Sequence, residues 1–300
     1  MAAWLSHPKR ISIAFSCAFT VALSLWGSPA WAGDPFRKVE PHNISDNTEA
    51  AFEAMFKKGN YSEAKRHLAA TKSSEADEPL AYAMLASLAY AEKDWETFST
   101  YASQTVDAAQ QLKSQDPLRG NLYLAVGNLL KGAYTYKIEG PVRVTSKLRK
   151  VFYYFDQAEN EAPNDPELNL LRAYLDLLLA GNIPFSRPNQ AIKSFKEDTA
   201  PAYLANRGIA IAYRDMEQYD KALRFVDKAI EATPKNPELH YLKGQIFYQK
   251  GKENDNPSTV KQAVEQFDQA LAQAEQLPSS IVNPIERERR IAQKLLAEMG

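Results

Sequence analysis

Residue types that perform catalysis or bind metals are scarce in this sequence. Beyond residue 32 there are three histidines, His42, His67 and His240, and their spacing matches no recognised metal-ligand pattern. The chain contains no G-x-S-x-G nucleophile motif, no P-loop and no G-x-G-x-x-G loop. The nearby carboxylates Glu253 and Asp255 stand in a polar stretch that is typical of a solvated loop. The sequence therefore predicts no catalytic residue, no metal site and no cofactor, and the protein is not expected to be an enzyme.

Cations are concentrated in one short stretch of the chain. Arg143, Lys147, Arg149 and Lys150 fall within eight residues. Such a basic patch can attract an acidic protein or an anionic polymer of the cell envelope. The alternative is a solvated helix face, which is the commoner role of such a run. The whole chain has 36 Lys and Arg against 37 Asp and Glu, so no overall basic balance suggests nucleic-acid binding.

The elements that must position these residues are clearest in residues 203–239. Two helical patterns of apolar residues occur there, separated by a tight turn. Small residues at Ala210, Ala222 and Ala229 would let another helix approach closely. Pro234 ends the second pattern, because proline lacks a backbone donor and clashes with the preceding turn. The stretch therefore predicts a helical hairpin.

Six positions of this hairpin form a familiar pattern: Ala210, Tyr213, Tyr219, Ala222, Ala229 and Pro234. At these positions the hairpin resembles one tetratricopeptide (TPR) repeat, a 34-residue helix–turn–helix unit. It departs from the family at Asn206, where an aromatic residue is usual, and at Val226, where a larger residue is usual. The resemblance implies an all-α fold, a TPR-like right-handed solenoid of helical hairpins with a C-terminal capping helix.

The rest of the chain contains weaker copies of the same pattern. Gly244 lies 34 residues after Ala210, which places a further unit directly after the first. Because one such unit cannot bury its apolar face alone, neighbouring units are required. We therefore predict a solenoid over residues 48–300, with its best repeats at 203–236 and 237–276.

Three other segments complete the predicted organisation. Residues 33–47 lack periodicity and are predicted to be an extended leader. Lys137–Thr145 contains Gly and Pro and is predicted to be a loop inserted between the two helices of a repeat. Pro284–Met299 alternates charged and apolar residues and is predicted to be the capping helix.

The first 32 residues have the features of a secretory signal peptide. Lys9 and Arg10 precede an uncharged apolar run over Ile11–Trp26, and residues 30–32 (Ala-Trp-Ala) form a small-residue cleavage site. A retained membrane anchor is the alternative, but the apolar run is short for a membrane span. We therefore expect cleavage after Ala32, export of the protein, and no membrane span in the mature chain.

Cleavage would also remove Cys17, which is the only cysteine. A mature chain without cysteine suits a bacterial periplasm better than a disulfide-rich secretory route. The periplasm is the expected location, and the thylakoid lumen is the alternative because the same kind of signal serves both. The export signal and the aromatic-rich array together resemble poorly characterised exported TPR proteins of cyanobacteria.

The resemblance to TPR arrays also implies a binding surface. In the family, the first helix of each repeat lines a concave groove. Arginine in such a groove can hold a carboxylate with two hydrogen bonds, and tyrosine offers a large, stiff contact with a polar tip. The alternative is that the tyrosines pack between helices and the arginines are solvated. By this resemblance, the predicted partner-binding residues are Tyr174, Arg207, Arg214, Tyr241, Gln245 and Tyr248.

These observations favour a binding protein of the bacterial envelope. The first hypothesis is an exported TPR scaffold or adaptor that binds a protein or peptide. The alternative is a carbohydrate- or peptidoglycan-binding module, because Trp95 and the tyrosines can stack on sugars. An enzyme ranks last, since its site would have to be assembled from loops.

Overall fold

The computed structural model describes residues 33–71, 78–182 and 188–299, and the regular structure in them is entirely helical. The all-α prediction is confirmed, since no β-strand occurs in these residues. The predicted signal peptide, residues 1–32, lies outside the described residues. The thirteen α-helices of the described residues are α1 (Asp46–Phe52), α2 (Tyr61–Thr71), α3 (Pro79–Glu92), α4 (Trp95–Leu112), α5 (Pro117–Glu139), α6 (Thr145–Glu161), α7 (Pro166–Asn182), α8 (Pro188–Lys196), α9 (Ala202–Asp215), α10 (Tyr219–Ala232), α11 (Pro237–Glu253), α12 (Pro257–Leu271) and α13 (Ser279–Met299).

Four of these helices, α5, α7, α11 and α12, begin with an Asp or Asn followed by Pro. The side-chain oxygen of Asp116 accepts a hydrogen bond from the backbone N–H of Arg119 at 3.0 Å, and Asn256 accepts one from Thr259 at the same distance. Asn236 caps α11 in a similar way. The following proline costs no hydrogen bond, because the first turn of a helix has no acceptor for its N–H. These pairs fix where each helix starts.

Consecutive helices pack in pairs, as a TPR-like array of hairpins requires. Ala210, Ala222 and Ala229 have no exposed surface, so the small residues do lie at helix contacts. At Gly244, an added Cβ would lie 2.6 Å from the ring of Phe267. The absence of a side chain there lets α12 approach α11.

The first hairpin, formed by α1 and α2, contacts the far end of the array as well as its neighbour α3. The Asn236 side-chain amide donates a hydrogen bond to the carbonyl of Phe56 at 3.1 Å, and the Tyr61 hydroxyl donates one to Glu238. Helix α2 also touches a short 3₁₀ turn at Ala274–Gln276, and α13 packs against α3. The array therefore curls until its C-terminal end meets its N-terminal units.

Apolar side chains of this first hairpin join those of α3, α5, α7 and α9 in one buried cluster. These helices are the first members of their pairs, which would line the groove of an open array. Because the hairpin is buried with them, the concave side is filled by the chain itself. Members of the cluster include Phe52, Met55, Leu68, Met84, Tyr123, Leu170, Leu204 and Ile209.

The leader, residues 33–45, is irregular in structure and contributes to the core. Phe36 and Ile44 are buried, and Phe36 packs edge-on against Phe52. Arg37 forms an ion pair with Asp165, the residue directly before α7. The leader thus ties the first hairpin to the start of α7.

Two predicted boundaries are wrong. The predicted loop Lys137–Thr145 is almost wholly helical: α5 continues to Glu139, and a 3₁₀ turn at 141–144 leads into α6. Only Gly140, with a φ of 85°, interrupts the helices, because glycine adopts that conformation without strain. The final helix begins at Ser279, so Pro284 lies inside it. Pro284 is the sixth residue of this helix, so its missing N–H removes one backbone hydrogen bond near the helix start.

Gly59 provides a test of the contact between the first hairpin and α11. Its φ is +64°, and an added Cβ would lie 2.7 Å from the Asn236 carboxamide oxygen. Gly59→Ala should therefore lower the free energy of unfolding by about 1–3 kcal/mol in urea denaturation. Gly132→Ala is the matched control, because its Cβ would lie 3.5 Å from Lys147, an ordinary contact. It should raise stability by about 0.5–1 kcal/mol. Equal effects of the two substitutions would contradict this packing.

Candidate functional site

Two of the predicted concave-face residues are engaged between helices of the chain. The Tyr174 ring lies edge-on to Phe195 at 4.9 Å, and its hydroxyl donates a hydrogen bond to the carbonyl of Leu204 at 2.8 Å. Burial raises the pKa of Tyr174 to about 12. Arg207 forms an ion pair with Glu238, which also accepts the hydrogen bond from Tyr61. Both predicted residues therefore hold the array together.

Three others form a polar chain across α9, α11 and α13. Arg214 donates to the Gln245 side-chain oxygen at 2.7 Å, and the Gln245 amide donates to Glu288 at 2.9 Å. The Tyr241 hydroxyl donates to the second oxygen of Glu288 at 2.8 Å. Tyr248, the sixth residue, is half-buried against the cluster of α12 and α13.

The six residues thus lie among intramolecular contacts, and their role in binding a partner stays a prediction. A ligand that used them would have to displace Glu238, Glu288 or the first hairpin. Sequence reasoning missed these two carboxylates. Glu238 stands in the first turn of α11, where an acidic residue is common. The local sequence around it therefore does not indicate its contacts with Tyr61 and Arg207.

An open apolar cavity of about 830 Å³ lies on the side of the array. It lies between the C-terminal halves of α3, α5 and α7 and the start of α6. Its wall consists mainly of aliphatic and aromatic side chains. The residues that line it are Ser87, Tyr90, Phe98, Asn128, Leu129, Leu130, Gly132, Ala133, Tyr136, Lys137, Val144, Lys147, Leu148, Val151, Leu178 and Leu179.

Large apolar side chains continue from the cavity to the surface. Tyr90 is 53% exposed and Tyr136 is 60% exposed, and both line the cavity. Ile138, two residues beyond Tyr136 on α5, is 57% exposed and does not line the cavity. Exposed apolar surface that is continuous with a cavity is typical of an interaction site. We refer to this cavity and the three exposed side chains as the α5–α6 cavity.

The charged residues that line the α5–α6 cavity are both lysines. The ammonium of Lys137 lies 5.2 Å from the centre of the Trp95 ring, a cation–π contact. Lys147 comes from α6 and belongs to the predicted basic patch. Of that patch, Arg149 and Lys150 are exposed on α6, and Arg143 lies 3.4 Å from Glu139. The structure therefore brings one residue of the patch into the cavity and leaves the others beside it. The cavity itself carried no sequence signal.

A second cluster of ionisable groups is fully enclosed near the starts of α5 and α7. The Arg119 guanidinium pairs with Glu78 at 2.8 Å and approaches Glu167 at 3.8 Å. The Tyr123 hydroxyl donates a hydrogen bond to Glu167. Burial raises the pKa of Glu167 to about 8, although Arg119 beside it acts in the opposite direction. These contacts join the start of α3 to α5 and α7.

Two further observations concern the described residues only. They contain no group of three or more His, Cys, Asp or Glu side chains that could hold a metal ion. None of their helices combines the length and apolar character needed to cross a membrane.

One segment of the array is matched by a known family. Residues 211–251 match the model of the TPR repeat. The segment covers the end of α9, all of α10 and most of α11, and it overlaps both of the repeats predicted to be the best. TPR repeats typically mediate protein–protein interactions and are typically non-catalytic. A search of curated proteins found no match to this chain.

The buried Glu167 predicts a pH dependence of stability. Its carboxyl keeps a proton up to pH about 8 when folded but only to about 4.5 when unfolded, so its contribution is lost as pH rises between these values. Relative to Glu167→Gln, the wild type should lose free energy of unfolding from pH 5 to pH 8, by up to about 1.4 kcal/mol per pH unit. Glu197→Gln, at an exposed site, should follow the wild type. Parallel curves for wild type and Glu167→Gln would contradict the raised pKa.

Proposed function

We propose that this protein is an exported scaffold or adaptor that docks a segment of a partner protein in the α5–α6 cavity. The observation that carries the proposal is the contrast between two surfaces. The concave side of the array is filled by the chain's own first hairpin. The α5–α6 cavity is open, apolar and bordered by exposed aromatic side chains. The proposed binding site is therefore the α5–α6 cavity on the side of the array, and not the concave groove.

The arrangement of the cavity favours a macromolecular partner. Monomeric proteins rarely leave several large apolar side chains exposed together unless they form an interface. Tyr90 and Tyr136 line the cavity and are still more than half exposed, so a small ligand inside it would leave much of each ring in water. A protein segment can fill the cavity with one or two side chains and cover these residues as well.

Export is proposed from the first 32 residues, and one contact at their boundary supports it. The backbone N–H of Gly33 donates a hydrogen bond to the Glu49 carboxylate at 2.8 Å. Cleavage after Ala32 would convert this amide into an ammonium group, which pairs more strongly with a carboxylate. An added Cβ on Gly33 would lie 2.8 Å from the carboxyl carbon of Glu49, so a larger residue would disturb the contact.

Cleavage at this bond makes a measurable prediction. Mass spectrometry of the exported protein should find a chain that begins at Gly33. Glu49→Gln should be compared in this chain and in a chain extended by residues 27–32. The substitution should lower the free energy of unfolding by about 0.5–1 kcal/mol more in the chain that begins at Gly33, because only that chain has an ammonium group on Gly33. An exported chain that begins elsewhere, or an equal effect in both chains, would count against the proposed cleavage site.

Docking in the cavity is tested by filling it. Ala133→Trp places a large side chain in the wall of the α5–α6 cavity, and partner capture from an envelope extract should fall at least tenfold. Ala232→Trp, at an exposed site at the end of α10, should capture as well as wild type. A second variant, Tyr136→Ser with Ile138→Ser, alters only exposed side chains and should weaken capture without loss of thermal stability. Unchanged capture by both cavity variants would exclude docking at this site.

A cleft between α3 and α4 favours the second candidate function, carbohydrate binding. It has a volume of about 430 Å³ and a polar wall with two stacked tyrosine rings, Tyr82 and Tyr101, 6.5 Å apart. The Gln104 side-chain oxygen is buried there without a hydrogen-bond partner in the described part of the chain. By contrast, Lys137 covers one face of Trp95. Sedimentation with purified cell-wall sacculi that is lost in Gln104→Leu would favour this candidate over protein docking.

A further inference from the structure

The charged residues around the α5–α6 cavity are mostly positive. Residues 131–155 contain six Lys and Arg and one acidic residue, Glu139, in a chain whose net charge is −1. Both charged residues that line the cavity, Lys137 and Lys147, are cations. Glu139, the acidic residue of this stretch, forms its ion pair with Arg143 at 3.4 Å. The surface therefore offers an apolar centre with positive charge at its edge.

Two polar side chains of the cavity wall, Asn128 and Ser87, already donate hydrogen bonds to their own helices. The Asn128 amide donates to the carbonyl of Leu124 at 2.7 Å, and the Ser87 hydroxyl donates to the carbonyl of Ala83 at 2.9 Å. An extended peptide in the cavity would leave its own N–H and C=O groups without partners, which is costly in an apolar site. A helix satisfies its backbone internally and presents only side chains. The cavity therefore suits a helix better than an extended strand.

From these two observations we propose that the docked partner segment is an amphipathic helix with an apolar face and acidic flanks. Apolar side chains at i, i+3, i+4 and i+7 enter the cavity, and carboxylates beside them pair with Lys137 and Lys147. This inference rests on the proposed docking function and adds the chemistry of the partner. Charge complementarity of this kind sets specificity and the rate of association more than total affinity.

Synthetic helices test the proposal directly. Three labelled 18-residue peptides share one leucine face and differ only in the polar face, which is Glu, Gln or Lys. Fluorescence anisotropy with the chain of residues 33–300 should give a Kd for the Glu peptide at least tenfold below that for the Lys peptide. The difference should shrink as salt is added, because screening weakens exposed charge pairs.

Charge reversal identifies the responsible residues. In a Lys137→Glu, Lys147→Glu variant the order of the peptides should invert, so that the Lys peptide binds most tightly. The control variant, Lys252→Glu with Lys261→Glu, changes the net charge equally at exposed sites on α11 and α12 and should keep the wild-type order. Equal inversion in both variants would overturn the proposal, since net charge alone would then explain it.

The remaining outcomes separate this inference from the proposed function. If all three peptides bind equally and Ala133→Trp abolishes binding, docking stands and the acidic partner is excluded. If no peptide binds while Ala133→Trp still blocks partner capture, the partner is not an amphipathic helix. If wild type binds phosphatidylglycerol vesicles or dodecanoate but no peptide, the surface recognises anionic lipid and the proposal is overturned. If neither peptides nor capture respond to Ala133→Trp, the proposed function itself fails.

Discussion

The architecture depends on burial of the first hairpin against the inner sides of α3, α5, α7 and α9. Each large apolar side chain that this contact removes from water contributes roughly 1.5–3 kcal/mol. The polar part of the contact is equally specific. Glu238 receives a hydrogen bond from Tyr61 and an ion pair from Arg207, so its charge is compensated where water is largely excluded. Removal of either partner would leave a buried carboxylate poorly satisfied, which is why the hairpin and the array act as one unit.

This contact changes what a repeat array can do. In an open solenoid each unit touches only its neighbours, and the concave groove stays available. Here α13 reaches α3, and α2 reaches the turn before α13, so distant units touch. The side chains that would contact a ligand in an open groove instead form hydrogen bonds and ion pairs within the chain. The concave groove is therefore part of the hydrophobic core, and the open apolar cavity lies at the side of the array.

The α5–α6 cavity follows from the same geometry. Helix α5 is long and continues to Glu139, and its last turns carry Tyr136 and Lys137 beyond the packed body of the array. Helix α6 starts after a tight turn at Gly140 and brings Lys147 to the opposite wall. A long helix and a short connection therefore place an apolar wall and two cations together. The cavity stays open because no other element of the described chain packs over this end of α5.

The sequence by itself determined the repeat and most of the helices. Helical periodicity, alanines at the contacts and a proline that ends a helix are local signals, and they act within one or two turns of the chain. They sufficed to predict the all-α array and the hairpin around Ala210 and Ala222. The boundary at Lys137–Thr145 was wrong because Gly and Pro usually mark a loop, and here they occupy a single tight turn.

Only the tertiary structure decided which surfaces are free. Tyr61 and Glu238 are 177 residues apart, and nothing in the local pattern of either indicates the other. Closure depends on the summed curvature of all units, which small changes in each helix crossing control. The same holds for the cavity, whose walls come from α3, α5, α6 and α7. Local sequence thus specified the hairpins, and their accumulated geometry specified which surfaces are buried and which stay exposed.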